Sequence, residues 1–217
     1  MNVLSPSPLR LDANQPLQSI YAPPETPAIL RQSLNGALTW QIRNETTAQK
    51  AILSPNLAPQ FIAALLALNA EIISGADKIP LAAYLDRTQP AQAHILALQL
   101  PPMPSGFVWG EAHVSRTPAD EPIVAVWAVL NLDGNTVQSA RLALTGAQRQ
   151  HARLAQAAER LIGHSLNDEL IQQVADAAAQ EANPPNDYLG GSAYRRRMVA
   201  VLTRRALEKC RNEERTA

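Results

Sequence analysis

Two apolar runs meet at a tight turn in the stretch IVAVWAVLNLDGNTVQSARLAL, residues 123–144. The turn, Asp133-Gly134-Asn135, contains two residue types that accept positive φ at low cost, so the stretch predicts a β-hairpin. A third apolar run precedes it. We therefore expect an antiparallel sheet with strands at Val108–Arg116, Ile123–Leu132 and Thr136–Leu144.

Three helical patterns follow the hairpin. The spacing predicts helices over Ala147–Ile162, ended by Gly163, over Asn167–Ala182, with Asn167 as N-cap, and over Ser192–Arg211. Strands followed by helices are typical of the α+β class. The predicted domain is a three-stranded antiparallel sheet packed with a C-terminal helical bundle.

A proline-rich stretch, Pro101 to Gly106, precedes this domain and is typical of a linker. It divides the chain into predicted domains at residues 1–104 and 105–217. Strands are expected in the first domain at Leu9–Leu11, Ala70–Ile73 and Ile95–Leu100. Helices are expected over Thr26–Leu38, capped by Thr26, and over Asn56–Leu68, capped by Asn56.

Composition and charge narrow the function classes. The 217 residues carry 19 basic and 19 acidic side chains, so a neutral chain gives no support for binding to nucleic acid or to membrane surfaces. Apolar runs are too short to span a bilayer, and we expect no signal peptide at the start. A single cysteine, Cys210, allows no internal disulfide and favours a cytoplasmic location.

The second domain resembles the C-terminal domain of carbon-monoxide-dehydrogenase-type flavoprotein subunits. The resemblance follows a series of segments in order and covers roughly residues 107 to 210: Val114–Arg116, Ile123–Gly134, Ala140–Gly146, Ala155–Gly163, Tyr194–Arg196 and Val201–Leu207. Upstream, Gln41–Asn44 and Ala63–Ile73 resemble the second flavin subdomain of the same family, the FAD-binding medium subunits of molybdenum hydroxylases. The first flavin subdomain has no counterpart, so we interpret the chain as N-terminally truncated.

The resemblance also implies where flavin contacts would lie. The family pattern T-(I/L)-G-G-N aligns with Thr47-Ala48-Gln49-Lys50-Ala51, so side chains replace both glycines. Glycine matters there because a pyrophosphate must approach bare main chain. We therefore expect weak or absent FAD binding. If FAD is retained, the positions implied are Arg43, Asn44, Thr47, Lys50 and Ile95.

Two further family patterns are eroded in this chain. The acidic residue of the S-P-x-x-D pattern aligns with Ala58, and the lysine that precedes the family's S-R pair falls near Ala112. In the D-x-R-x-S pattern Asp187 is kept, but Leu189 and Gly191 replace arginine and serine. These losses agree with a weakened flavin site.

Three hypotheses follow. The first is a degenerate subunit with a structural or assembly role beside a molybdopterin-binding large subunit and a 2Fe-2S small subunit, and inactive alone. The second is a working FAD-dependent electron-transfer subunit of such an oxidoreductase, its first flavin subdomain supplied by another chain. The third is a binding module for another small ligand.

No catalytic residue or metal ligand is predicted. The four histidines, His94, His113, His151 and His164, lack metal-ligand spacing, and His113 beside Ser115 lacks the acid that a nucleophile pair needs. We favour hydrogen bonding in turns or interfaces for Arg43 and Asn44, a solvated or subunit-facing role for Tyr194–Arg197, and core or interface positions for the tryptophans, Trp40, Trp109 and Trp127.

Overall fold

The computed structural model describes residues 7–87, 95–104 and 106–214. The chain divides into two compact units, Met1–Met103 and Pro104–Ala217. Both combine antiparallel sheet with helices, which confirms the predicted α+β class.

The first unit places small helices around a four-stranded antiparallel sheet in the order β1-β4-β2-β3. Its strands are β1 Leu9–Asp12, β2 Glu71–Ser74, β3 Asp77–Pro80 and β4 Ala97–Leu100. Its helices are α1 Leu17–Tyr21, α2 Ala28–Ser33, α3 Trp40–Glu45, α4 Ala48–Leu53, α5 Pro59–Ala67 and α6 Leu81–Leu85. Every residue of α5 from Gln60 onward is buried, so this helix forms the centre of the unit.

Two predicted helix starts in this unit are wrong. Thr26 does not cap a helix, because its hydroxyl donates to the carbonyl of Ile20 at 2.7 Å, and α2 begins after Pro27 instead. Asn56 lies in a 3-10 turn, Pro55–Leu57, and α5 begins after Ala58. In both places proline fixes φ at the first turn and determines where the helix starts.

The second unit contains a four-stranded antiparallel sheet in the order β5-β6-β7-β8 and two long helices. Its elements are β5 Phe107–Val114, β6 Val124–Asp133, β7 Thr136–Thr145, β8 Arg153–Leu154, α7 Asp168–Glu181 and α8 Ser192–Glu214. The predicted hairpin is confirmed: Asp133 pairs with Thr136, and Gly134 adopts a φ of 54° while Asn135 does not take positive φ.

The helix predicted over Ala147–Ile162 is wrong. Arg153 and Leu154 pair with Leu144 and Ala143 as a fourth strand, which corrects the predicted three-stranded sheet. A 3-10 segment, Gln156–Leu161, follows it. The alanines favour a helix locally, but bonding to the free edge of β7 outweighs that preference.

The two predicted C-terminal helices are confirmed. Asn167 caps α7, because its side-chain oxygen accepts a hydrogen bond from the Leu170 amide at 2.8 Å. Helix α8 packs on β5 and β6, and α7 packs on α8. At Gly110 the backbones of β5 and α8 approach so closely that a Cβ atom would lie 2.0 Å from the Ala206 carbonyl oxygen. Within the described residues, no helix is both long enough and apolar enough to cross a membrane.

Candidate functional site

The stretch aligned with the flavin loop, Thr47–Ala51, forms the beginning of α4. The Thr47 hydroxyl accepts a hydrogen bond from the Lys50 amide at 3.1 Å and so caps the helix. The Gln49 amide donates to the Ala13 carbonyl at 2.8 Å, and the Ala51 amide donates to the Thr47 carbonyl at 3.0 Å. Three consecutive amides, at residues 49 to 51, therefore have acceptors within the chain.

The side chains of the same stretch divide between core and solvent. Ala48 and Ala51 are fully buried, whereas the Lys50 side chain is exposed. Lys50 offers one cationic group at the surface of the unit, without the ring of main-chain donors that a pyrophosphate uses. The local geometry is that of an ordinary capped helix start.

Arg43 is held by the protein itself. Its guanidinium donates to the Gln18 side chain at 2.8 Å, to the Leu34 carbonyl at 3.1 Å and to the Leu38 carbonyl at 2.5 Å. It also lies over the Tyr21 ring, 4.1 Å from the centroid. These contacts tie α1 and the end of the α2 segment to α3, as expected of an arginine that stabilises turns.

The other implied flavin positions are dispersed. Asn44 lies on the exposed side of α3 and donates to the Trp40 carbonyl at 2.7 Å. Ile95 lies just before β4 and is fully buried. Thr47 and Lys50 are joined by the cap of α4, so the structure groups these two and leaves Ile95 in the core.

Sequence analysis missed the role of Arg195, a buried arginine at the start of α8. It is 3% exposed and makes two hydrogen bonds to the Asp187 carboxylate, at 2.7 and 2.9 Å. It also donates to three backbone carbonyls, those of Ile123, Gly146 and Gly190. This arginine therefore fixes the start of α8 to the sheet, which corrects the solvated or subunit-facing role expected for it. Arg196 and Arg197 are exposed, as expected.

A signal for Arg195 was present in the sequence. Arg195 precedes Val199, Leu202 and Ala206 at helical spacing, and all three are buried. A cation on the apolar face of a helix needs a buried partner. The hydrogen bond from Arg195 lowers the pKa of the Asp187 carboxyl, with smaller contributions from the amides of Leu189 and Gly190.

A second polar cluster lies on β5 and the last turns of α8. The Glu111 carboxylate, 8% exposed, contacts His113 Nδ1 at 2.5 Å and lies 3.9 Å from Lys209 Nζ. Lys209 also donates to the Glu111 carbonyl. The hydrogen bond with Glu111 raises the pKa of His113, while burial opposes the shift. His113 is thus paired with an acid and not with Ser115.

The remaining predictions on single residues are resolved in part. Among the described residues no group of three or more His, Cys, Asp or Glu side chains could hold a metal ion, and His94 lies outside those residues.

Trp127 is 2% exposed and stacks on Trp109 with centroids 6.2 Å apart. Trp40 is 68% exposed, so an interface role for it stays a prediction.

Both units belong to the α+β class, and the second is an antiparallel sheet covered by two long helices. Residues 112–210 match the family of CO dehydrogenase flavoprotein C-terminal domains. The chain is similar to the glyceraldehyde dehydrogenase medium chain of Sulfolobus acidocaldarius, with 29% identity over 78% of this chain and 63% of that protein. It is also similar to the carbon monoxide dehydrogenase medium chain of Hydrogenophaga pseudoflava, with 28% identity over 52% of this chain and 39% of that protein.

Solved structures share the fold. Carbon monoxide dehydrogenase from Hydrogenophaga pseudoflava superposes with a TM-score of 0.84 at 23% identity, covering 95% of this chain and 76% of the other. Quinoline 2-oxidoreductase from Pseudomonas putida 86 superposes with a TM-score of 0.80 at 18% identity, covering 96% and 76%. The chain is therefore similar to the medium chains of CO dehydrogenase and related hydroxylases, and it spans 63% of the length of the first of these relatives.

Proposed function

We propose that this chain is a medium-subunit-like component of a molybdenum hydroxylase-type oxidoreductase complex, with reduced or lost flavin binding and a structural or assembly role. The observation that carries the proposal is the engagement of the amides at residues 49 to 51. A dinucleotide would have to displace Ala13 and the Thr47 cap to use those amides, and each exchange replaces a hydrogen bond already made.

The partners follow from the resemblance. A molybdopterin-binding large subunit and a 2Fe-2S small subunit are the chains beside which medium subunits of this kind act. The matched domain, residues 112–210, is the part of the chain that we expect to dock in such an assembly. Within this domain the bonds of Arg195 hold the start of α8 to the sheet, which supports a stable structural unit.

The residues of the Thr47–Ala51 stretch do not fit FAD, because side chains stand at both glycine positions and the amides at residues 49 to 51 already have acceptors. Arg43 makes its hydrogen bonds inside the unit, and Ile95 is buried. Lys50 is the one residue among the five implied positions that is exposed, cationic and without a side-chain partner among the described residues. A lone lysine attracts a phosphate as a point charge, without specificity for flavin.

The experiment is a titration of the purified chain with FAD, followed by flavin fluorescence and by absorbance between the near ultraviolet and the blue. We expect no saturable binding by the parent chain. A matched variant restores the family pattern through Gln49→Gly, Lys50→Gly and Ala51→Asn, and Lys78→Gly, at an exposed position in β3, serves as the control. A stoichiometric flavin spectrum in the isolated parent would refute the proposal.

Co-expression with large and small subunits separates the two family hypotheses. If flavin co-purifies only with the assembled complex and is lost on Thr47→Ala, the chain is an electron-transfer subunit completed by another polypeptide. If the complex assembles without flavin on this chain, the structural role holds. Failure of the chain to associate with either subunit would contradict both hypotheses.

A further inference from the structure

A cavity of about 410 Å³ lies where β5 meets the last turns of α8. Its polar lining residues are Glu111, His113, Arg205, Glu208, Lys209 and Asn212. All of them belong to the second unit, and none is among the implied flavin positions. The lining combines three basic groups with two carboxylates. What the cavity can bind therefore depends on which of these charged groups already pair with other groups of the protein.

The Glu111 carboxylate already pairs with two basic side chains of the protein. It is nearly buried, contacts His113 Nδ1 at 2.5 Å, and lies 3.9 Å from Lys209 Nζ. A carboxylate held in this way does not attract an external cation. It instead fixes the imidazole, so that the second ring nitrogen, Nε2, is left as a hydrogen-bond donor when His113 is protonated.

The second carboxylate is also partly satisfied. The Glu208 carboxylate lies 3.9 Å from the guanidinium of Arg204, a residue that precedes Arg205 in the chain and does not line the cavity. Arg205, by contrast, is exposed and has no hydrogen-bond or ion-pair partner among the described residues. The unused groups are therefore donors: the Arg205 guanidinium and His113 Nε2. Both suit a ligand that carries only acceptor oxygens.

We propose that this cavity binds a small oxyanion, a phosphate, sulfate or carboxylate group, between Arg205 and the imidazolium of His113. Arg205 supplies a fork of N–H donors, and Glu111 supplies the negative charge that keeps His113 charged and oriented. The proposal does not depend on flavin binding, because no residue of the first unit takes part.

The site depends on pH through His113. The groups that face it are Glu111 on its own strand, Glu121 before β6, and Lys209 on α8, with Arg205 and Glu208 across the cavity. Only the imidazolium donates from both nitrogens. Affinity must therefore fall as the pH rises through the pKa of His113, provided that the charge of the anion stays constant.

The test uses isothermal titration of the full chain with sulfate, which remains a dianion at both about pH 6 and about pH 8. We expect saturable binding in the millimolar range at the lower pH and clearly weaker binding at the higher pH. Arg205→Gln should weaken binding about tenfold, whereas Arg197→Gln, also exposed on α8 but outside the cavity, should change it less than about twofold. His113→Gln should weaken binding and remove its pH dependence.

Separate titrations with inorganic phosphate and with acetate assign the class of oxyanion. Tighter binding of phosphate and sulfate indicates a phosphorylated ligand, and tighter binding of acetate indicates a carboxylate. Because His113→Gln could also disturb Glu111, the nitrogen resonances of His113 in the parent chain provide a second measurement, and Nε2 should shift on titration. The proposal is overturned if no oxyanion binds, if Arg197→Gln weakens binding as much as Arg205→Gln, or if Nε2 does not move.

Discussion

Replacement of Arg195 by methionine tests whether the start of α8 is held by one buried guanidinium. The side chain makes five hydrogen bonds, two to Asp187 and one each to the carbonyls of Ile123, Gly146 and Gly190. Methionine fills a similar volume but makes none of them. Because the carbonyl partners stay behind, we expect a loss of about 3–5 kcal/mol in the free energy of unfolding. That is a large part of the roughly 5–15 kcal/mol that stabilises a typical domain.

The assay is urea unfolding in a Trp40→Phe background, so that fluorescence reports only on Trp109 and Trp127 in the second unit. Arg197→Met, at an exposed position on the same helix, is the matched control and should change stability by less than about 0.5 kcal/mol. Asp187→Asn combined with Arg195→Met should cost less than the sum of the two single changes, because both remove the same ion pair. A loss below about 1 kcal/mol for Arg195→Met would refute the assignment.

Three further changes probe the second unit. Gly110→Ala should lower the free energy of unfolding by about 2–3 kcal/mol, because the new Cβ would lie 2.0 Å from the Ala206 carbonyl oxygen; an unchanged melting temperature would contradict this contact. Thr203→Val should raise it by about 1 kcal/mol in urea unfolding, because the buried Thr203 hydroxyl has no partner among the described residues; a lower stability would show that the hydroxyl is satisfied. The pKa of His113 is raised by Glu111, so its contribution to stability is complete below the unfolded pKa and is lost as the pH rises through the folded pKa. Unfolding measured across that pH range should show this loss in the parent chain but not in His113→Gln.

Local rules predicted the parts of the fold that local interactions determine. The hairpin at Asp133-Gly134-Asn135 follows from turn chemistry, and the start of α7 follows from the Asn167 cap. These features depend on residues close together in the sequence. The order of strands in each sheet and the packing of α8 on β5 depend on distant residues, and no short pattern specifies them.

The stretch over Ala147–Ile162 shows where local rules fail. Its alanines favour a helix, yet Arg153 and Leu154 pair with β7, and the Ala155 amide donates to the Leu142 carbonyl at 2.8 Å. The end of a long hairpin leaves unpaired main-chain groups, and the chain that follows is the nearest segment to bond to them. Tertiary hydrogen bonding therefore outweighs a propensity of a few tenths of a kcal/mol per residue.

The candidate flavin stretch was predictable in part. The substitution of side chains for glycine at Gln49 and Lys50 is visible in the sequence, and it indicates that close approach of a phosphate is hindered. The engagement of the Gln49 amide by Ala13 is not visible, because that bond joins residues from separate elements. We expect this main-chain hydrogen bond to hinder a phosphate more than the side chains do, because an exposed side chain can move aside more easily than a main-chain hydrogen bond can be replaced.

The eroded D-x-R-x-S pattern keeps the one residue that has a structural role in this fold. Leu189 and Gly191 stand at its arginine and serine positions, whereas Asp187 remains and holds Arg195 at 2.7 Å. The kept residue is the one with a partner inside the fold. Asp187→Asn should cost most stability above the ordinary pKa of an unfolded aspartate, and the two chains should converge in stability as the pH falls from there through the lowered pKa of the folded carboxyl. A difference between them that stays constant with pH would show that Asp187 acts through its hydrogen-bonded turn and not through its charge.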